Sequence, residues 1–143
     1  MSMIKTGNGF ANGIEFMDQQ HTFFVASMNR LLEAMKNGEG KEEIRKTMRF
    51  VELHILKYFP REEEFMGENN YHDIDFHITQ HKKFRADFEE IKDIYFSKGY
   101  SVSLPLTLQR KMQDWLTNHI CKADRILADY VNSVRKTGGG RAG

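Results

Sequence analysis

Four stretches of this chain repeat apolar residues at alternating spacings of three and four, a rhythm that fits helices and little else. In the first, His21, Phe24, Met28, Leu31 and Met35 share one face. Asp18 is placed to cap its start, because a carboxylate can accept from the free N–H groups of a first turn. Gly38 and Gly40 stop it, since glycine reaches left-handed backbone angles without a steric cost. The second stretch begins near Lys41 and carries Ile44, Met48, Val51, Ile55, Tyr58, Glu62 and Phe65, ending at Gly67, Asn69 and Asn70. Pro60 lies inside it, where a missing N–H predicts a bend. The third carries His77, His81, Phe84, Phe88, Ile91 and Tyr95, with Asp73 or Asp75 as caps and Gly99 as the stop. Ser101 to Pro105 then connect to the fourth, with Ser103 a candidate cap and Pro105 acceptable in a first turn. That last stretch turns Leu108, Met112, Trp115, His119, Ala123, Leu127 and Val134 towards the core.

Four helices with short links predict an all-α protein, an antiparallel up-down-up-down four-helix bundle. One domain is expected over residues 1–135, followed by a disordered tail, KTGGGRAG, over 136–143. A chain of 143 residues can bury such a core without staples. Lys and Arg total 21 against 20 Asp and Glu, so no basic face for nucleic acid is expected. No apolar run approaches the roughly 18 residues of a membrane span. The opening MSMIKTGNGFANGIEF has Gly and Asn where a signal peptide needs an apolar stretch. The single Cys121 excludes an internal disulfide and fits a reducing cytoplasm, the expected location.

The stripes are interrupted by polar groups. His21, Tyr58, Glu62, His77, His81 and His119 all fall on core-facing positions, and together they involve all four helices. Burying such groups is costly unless each has a partner. One core histidine is ordinarily hydrogen-bonded; four, with carboxylates beside them, are satisfied together by metal ions. His77 and His81 lie four apart, roughly 5.4 Å along one helical face, a separation at which two imidazoles can share an ion. Tyr58 and Glu62 repeat that spacing, pairing an oxygen donor with a carboxylate able to touch two ions. His119 and Asp124 are five apart, which turns an α-helix by about 140°, so spacing alone does not pair them.

These segments resemble the hemerythrin family, in particular the small bacterial hemerythrins. GIEFMDQQH, ending at His21, is similar to the family's first-helix motif, and YFPREEEFM resembles its HFxxEExxM. HITQH matches HxxxH, and WLTNHICKAD, from Trp115 to Asp124, matches WLxxHIxxxD. The four occur in order from Gly13 to Asp124. The resemblance implies two iron ions with an oxo or hydroxo bridge. It assigns His77, His81 and His119 to one iron and Glu62 and Asp124 to both. His21 falls to the second iron, which in the family keeps an open position for dioxygen.

One ligand does not carry over. Tyr58 stands where the family motif has histidine, and His54 stands one turn earlier, where the family often has an aromatic residue. Three readings stand: Tyr58 binds the second iron as phenolate; Pro60 distorts the helix so that His54 reaches it; or the second site is weak, with His54 and Tyr58 a hydrogen-bonded core pair.

The function expected from the resemblance is binding of dioxygen, or another small diatomic ligand, for storage, delivery or sensing, without enzymatic turnover. A redox protein reactive towards peroxide or nitric oxide is the alternative, and an iron- or zinc-handling protein is a third class. No basic cluster that would clamp a phosphate for hydrolysis is visible. Elsewhere, His72 reads as a solvated linker residue, Cys121 as a small buried group and Trp115 as core packing. The run Arg61 to Glu64 reads as helix surface with Glu62 its one inward member, and the methionines as core filler.

Overall fold

The computed structural model describes residues 11–137. Helix α1 is Glu15–Lys36 and α3 is Ile74–Lys98. The other two long helices are interrupted. Helix α2 covers residues 40–68 and changes from α to π geometry over His54–Tyr58 before returning to α at Phe59–Glu68. Helix α4 covers residues 103–137, with a π segment at Leu116–Ala123 between Ser103–Trp115 and Asp124–Thr137. No strand occurs among the described residues. Helix α1 packs on α2 and α4, and α3 packs on the same two, so the four surround one core. The chain is a four-helix bundle.

The expected stripes are the buried faces. Phe24, Met28, Leu31, Ile44, Val51, Phe84, Phe88, Leu108, Met112 and Leu127 are closed to solvent. Burying one such side chain contributes about 1.5–3 kcal/mol, so the stripes supply most of what holds the helices together. Val134 departs from expectation and is 47% exposed. Beyond the π segment the inward face reads Asp124, Leu127, Ala128 and Val131, and Val134 lies in the final turn of the helix.

Helix starts differ from the caps expected. Helix α1 begins three residues before Asp18, whose carboxylate reaches back to accept from the N–H groups of Asn12 and Gly13 at 2.8 and 3.1 Å. Asp18 therefore fastens the entering chain and does not cap the helix. Ser103 is the first residue of α4, not its cap, and Pro105 lies in the first turn as expected. Gly38 has φ of +74°, the left-handed angle that turns the chain out of α1. Gly40 opens α2 in a tight place, where an added Cβ would stand 3.4 Å from both Pro105 and the Tyr100 hydroxyl. Lys136 and Thr137, assigned above to the tail, continue α4, and residues 138–143 lie outside the described residues. No described helix is long and apolar enough to cross a membrane.

Candidate metal centre

Five buried donor atoms converge at one point in the bundle. Glu62 Oε1 lies 2.6 Å from His77 Nε2, 2.9 Å from His81 Nε2 and 3.8 Å from His119 Nε2. Asp124 Oδ1 closes the group at 3.0 Å from His77 Nε2 and 3.1 Å from His119 Nε2. A second group adjoins it. Asp124 Oδ2 lies 3.0 Å from His21 Nε2, while the Tyr58 hydroxyl donates to Glu62 Oε2 at 2.7 Å and sits 3.3 Å from His21 Nε2. Each carboxylate thus offers one oxygen to each group.

The π segment in α4 explains how two residues five apart meet. The N–H of Asp124 bonds to the carbonyl of His119, an i to i−5 step that widens the turn and stacks the fifth residue over the first. In α2, the N–H of Phe59 makes the same step to the His54 carbonyl, one residue before Pro60. The backbone disturbance expected at Pro60 therefore takes the form of a π turn, which sets Tyr58 and Glu62 facing the centre.

Outer contacts fix the rings of the first group. His81 Nδ1 meets Glu63 Oε2 at 2.8 Å, and His119 Nδ1 meets Gln80 Oε1 at 2.6 Å. Both outer atoms are acceptors, so the proton belongs on Nδ1 and the inward Nε2 is left as a lone-pair donor. Phe59 stacks flat on His81 at 4.0 Å and Trp115 on His119 at 3.8 Å, each 8° from parallel. Sequence reasoning missed Glu63, which is half-buried rather than surface, and never considered Gln80. Glu63 follows Glu62 and Gln80 precedes His81, and their pairing with histidines of facing helices is a signal that only the packing reveals. Cys121, expected to be buried, is exposed.

His54 stands apart from the convergent atoms. Its Nδ1 goes to Gln20 Oε1 at 3.2 Å, and its ring stacks on Tyr58 with centroids 4.6 Å apart. The two are a stacked pair rather than the hydrogen-bonded pair considered above, because Tyr58 directs its hydroxyl to Glu62 and His21. His72 is exposed, as expected of a linker residue.

The electrostatics follow from burial against close opposite charge. Burial alone would raise Glu62 and Asp124, but the surrounding imidazoles outweigh it and hold both well below the usual carboxylate range. Burial likewise pulls His77 down, and its bonds to Asp124 and Glu62 outweigh that, raising it to about 10. Burial, aided by His21, drives His54 down to about 3. Burial and the Glu62 carboxylate push the Tyr58 phenol well above its usual value.

The donor set fits metal. His119 Nε2 and Asp124 Oδ1 are buried and close, yet neither has an aligned hydrogen bond, as when both aim at a common point instead of at each other. Glu62, His77, His81 and His119 form one group within 4.8 Å, and His21, Glu62 and Asp124 form another. Imidazole and carboxylate suit iron and zinc alike.

Fold and site together define a helical bundle whose core histidines and carboxylates form two groups able to hold cations. The chain belongs to the hemerythrin HHE cation-binding domain family, whose family model matches residues 12–131. It is similar to a bacteriohemerythrin of Methylococcus capsulatus, 27% identical over 131 residues, 92% of this chain and 98% of that one. A bacteriohemerythrin of Campylobacter jejuni is 26% identical over 122 residues, 85% of this chain and 90% of that one.

Proposed function

We propose that this chain is a non-haem di-iron protein that binds dioxygen, with Tyr58 in place of one histidine ligand. The observation that carries it is the shared use of Glu62 and Asp124, each with one oxygen in each donor group. His77, His81 and His119 would hold one iron; His21 and Tyr58 would hold the other. An iron pair bound there supplies electrons and an open position for a small ligand such as dioxygen. The bundle's part is to keep the imidazoles aimed, exclude bulk water and leave the second group with fewer protein donors. Two iron ions per chain and dioxygen as ligand are what this reading predicts of the purified protein.

Tyr58 favours a second, redox reading. A phenol bound to a ferric ion would ionise readily, its proton passing to solvent, although burial alone opposes ionisation. The resulting phenolate stabilises iron(III) over iron(II) more than neutral imidazole does. The protein would then oxidise more readily than one with histidine there, and would suit peroxide or nitric oxide.

Metal analysis with visible spectra of the anaerobically reduced protein, before and after oxygen, separates these readings. Bands that appear with oxygen and vanish on its removal support dioxygen binding. A permanent broad phenolate-to-iron band supports the redox reading and Tyr58 ligation. One zinc per chain with no oxygen response would sink the leading proposal. Tyr58→His should slow oxidation and remove the broad band; an unchanged oxidation rate and oxygen affinity would refute the role given to Tyr58.

A further inference from the structure

Two surface clefts reach the centre from opposite sides, and their charges differ. The cleft between α3 and α4, about 240 Å³, extends to Trp115 and His119. Its cations are neutralised: Lys83 and Lys111 lie 3.3 and 3.0 Å from Asp87, and Asp114 also lines it. The cleft between α1 and α2, about 380 Å³, extends to Tyr58. Its walls are Phe16, Phe50 and Leu53; its charged residues are Lys57 and Arg61, and no carboxylate among the described residues lines it. Arg61 lies over the Phe16 ring at 4.5 Å, and among the described residues neither cation forms an ion pair.

The whole chain carries a net charge of only +1, so it exerts little general pull on an anion. Two uncompensated cations over aromatic walls act differently. Low-dielectric walls focus the field into the cleft and raise the local concentration of opposite charge. We infer that Lys57 and Arg61 make the α1–α2 cleft an anion-selecting entrance to the Tyr58 half of the centre, for small monovalent anions the size of azide or nitrite. The neutralised α3–α4 cleft has no such bias. This inference rests on the metal pair proposed above.

The test uses iron-loaded full-length protein and compares azide with a neutral ligand, nitric oxide, by stopped-flow visible spectroscopy. The double variant Lys57→Gln/Arg61→Gln should take up azide at least about tenfold more slowly at low salt, with nitric oxide unchanged. The salt dependence of the azide rate should flatten. Arg61→Lys keeps the charge and should stay near the parent rate. Lys83→Gln removes one positive charge at the other cleft and should have no effect. In zinc-loaded protein, thiocyanate should shift the backbone amides of residues 53–61, and less so in the double variant. An unchanged azide rate, equal slowing of azide and nitric oxide, or the same effect from Lys83→Gln would overturn the inference. A chain that takes up no metal pair loses this inference and the preceding proposal together; unchanged azide rates in a normally loaded chain overturn this one alone.

Discussion

The two halves of the centre share their carboxylates but little else. Around Glu62 Oε1, three imidazoles are present, two of them fixed by outer acceptors and two by flat stacking on Phe59 and Trp115. The group at Glu62 Oε2 adds one imidazole, His21, and the Tyr58 hydroxyl, and Tyr58 also forms part of the α1–α2 cleft. One half is braced by outer contacts and borders a cleft whose charges cancel; the other offers fewer donors and borders a cleft whose cations are unpaired among the described residues. On the proposed reading, firm retention of metal falls to the first half and anion entry to the second, although both use the same two carboxylates.

That division can be broken first at what is shared. Glu62→Ala should empty both metal positions, because it removes an oxygen from each. In metal-free protein it should also cost about 3–5 kcal/mol, by leaving the clustered imidazoles without their buried counter-charge. Metal analysis and denaturant unfolding give both numbers; full metal in either position would mean the halves are independent.

Next is pH. The pKa of His77 in the metal-free fold is raised to about 10, above an unfolded value of ~6.5. Its contribution to stability is therefore complete below ~6.5 and disappears as pH rises through about 10. Glu62 and Asp124 are depressed, so theirs is present above ~4 and disappears as pH falls through their folded values. Unfolding midpoints from pH ~6 to ~10 should fall for metal-free protein and stay flatter with metal, which needs unprotonated imidazole. Loading at neutral pH should release protons; calorimetry in buffers of different ionisation heat would detect their absence.

A smaller effect should separate the halves. Glu63→Ala or Gln80→Leu should weaken metal retention by about 10–100-fold at the braced position only. Equal loss at the Tyr58 position would show that the bracing serves the whole centre. The smallest effect is expected from His54→Phe, which keeps the stacking on Tyr58 and should change stability by under about 1.5 kcal/mol with metal content intact. A metal deficit there would make His54 a ligand after all.

Much of this was legible in the sequence because burial and helical period speak through single residues. The stripes through Phe24, Met48 and Phe88 needed no knowledge of neighbours, and the polar residues on them marked the centre. Glu63 was not legible, since its surface-like position is redefined by His81 of another helix. Asp18 looked like a cap because local sequence cannot show whether a carboxylate points forward into the helix or back along the entering chain. Val134 shares the α face of buried Leu127, seven residues earlier, but lies in the final turn of the helix and is exposed. Asp124 was left unpaired because spacing alone assumed an unbroken α period through the fourth helix.

That interruption makes the fourth helix a vernier with two scales. Residues before it are read against the bundle on one scale and residues after it on another, offset by a single position. Removing one residue within 120–123 would realign the scales, sending either the His119 side or the Leu127 and Val131 side out of step with its neighbours. A length change of one residue there is thus a harsher perturbation than many substitutions in the core, and chains lacking that extra residue cannot present the same pair of side chains from an uninterrupted helix.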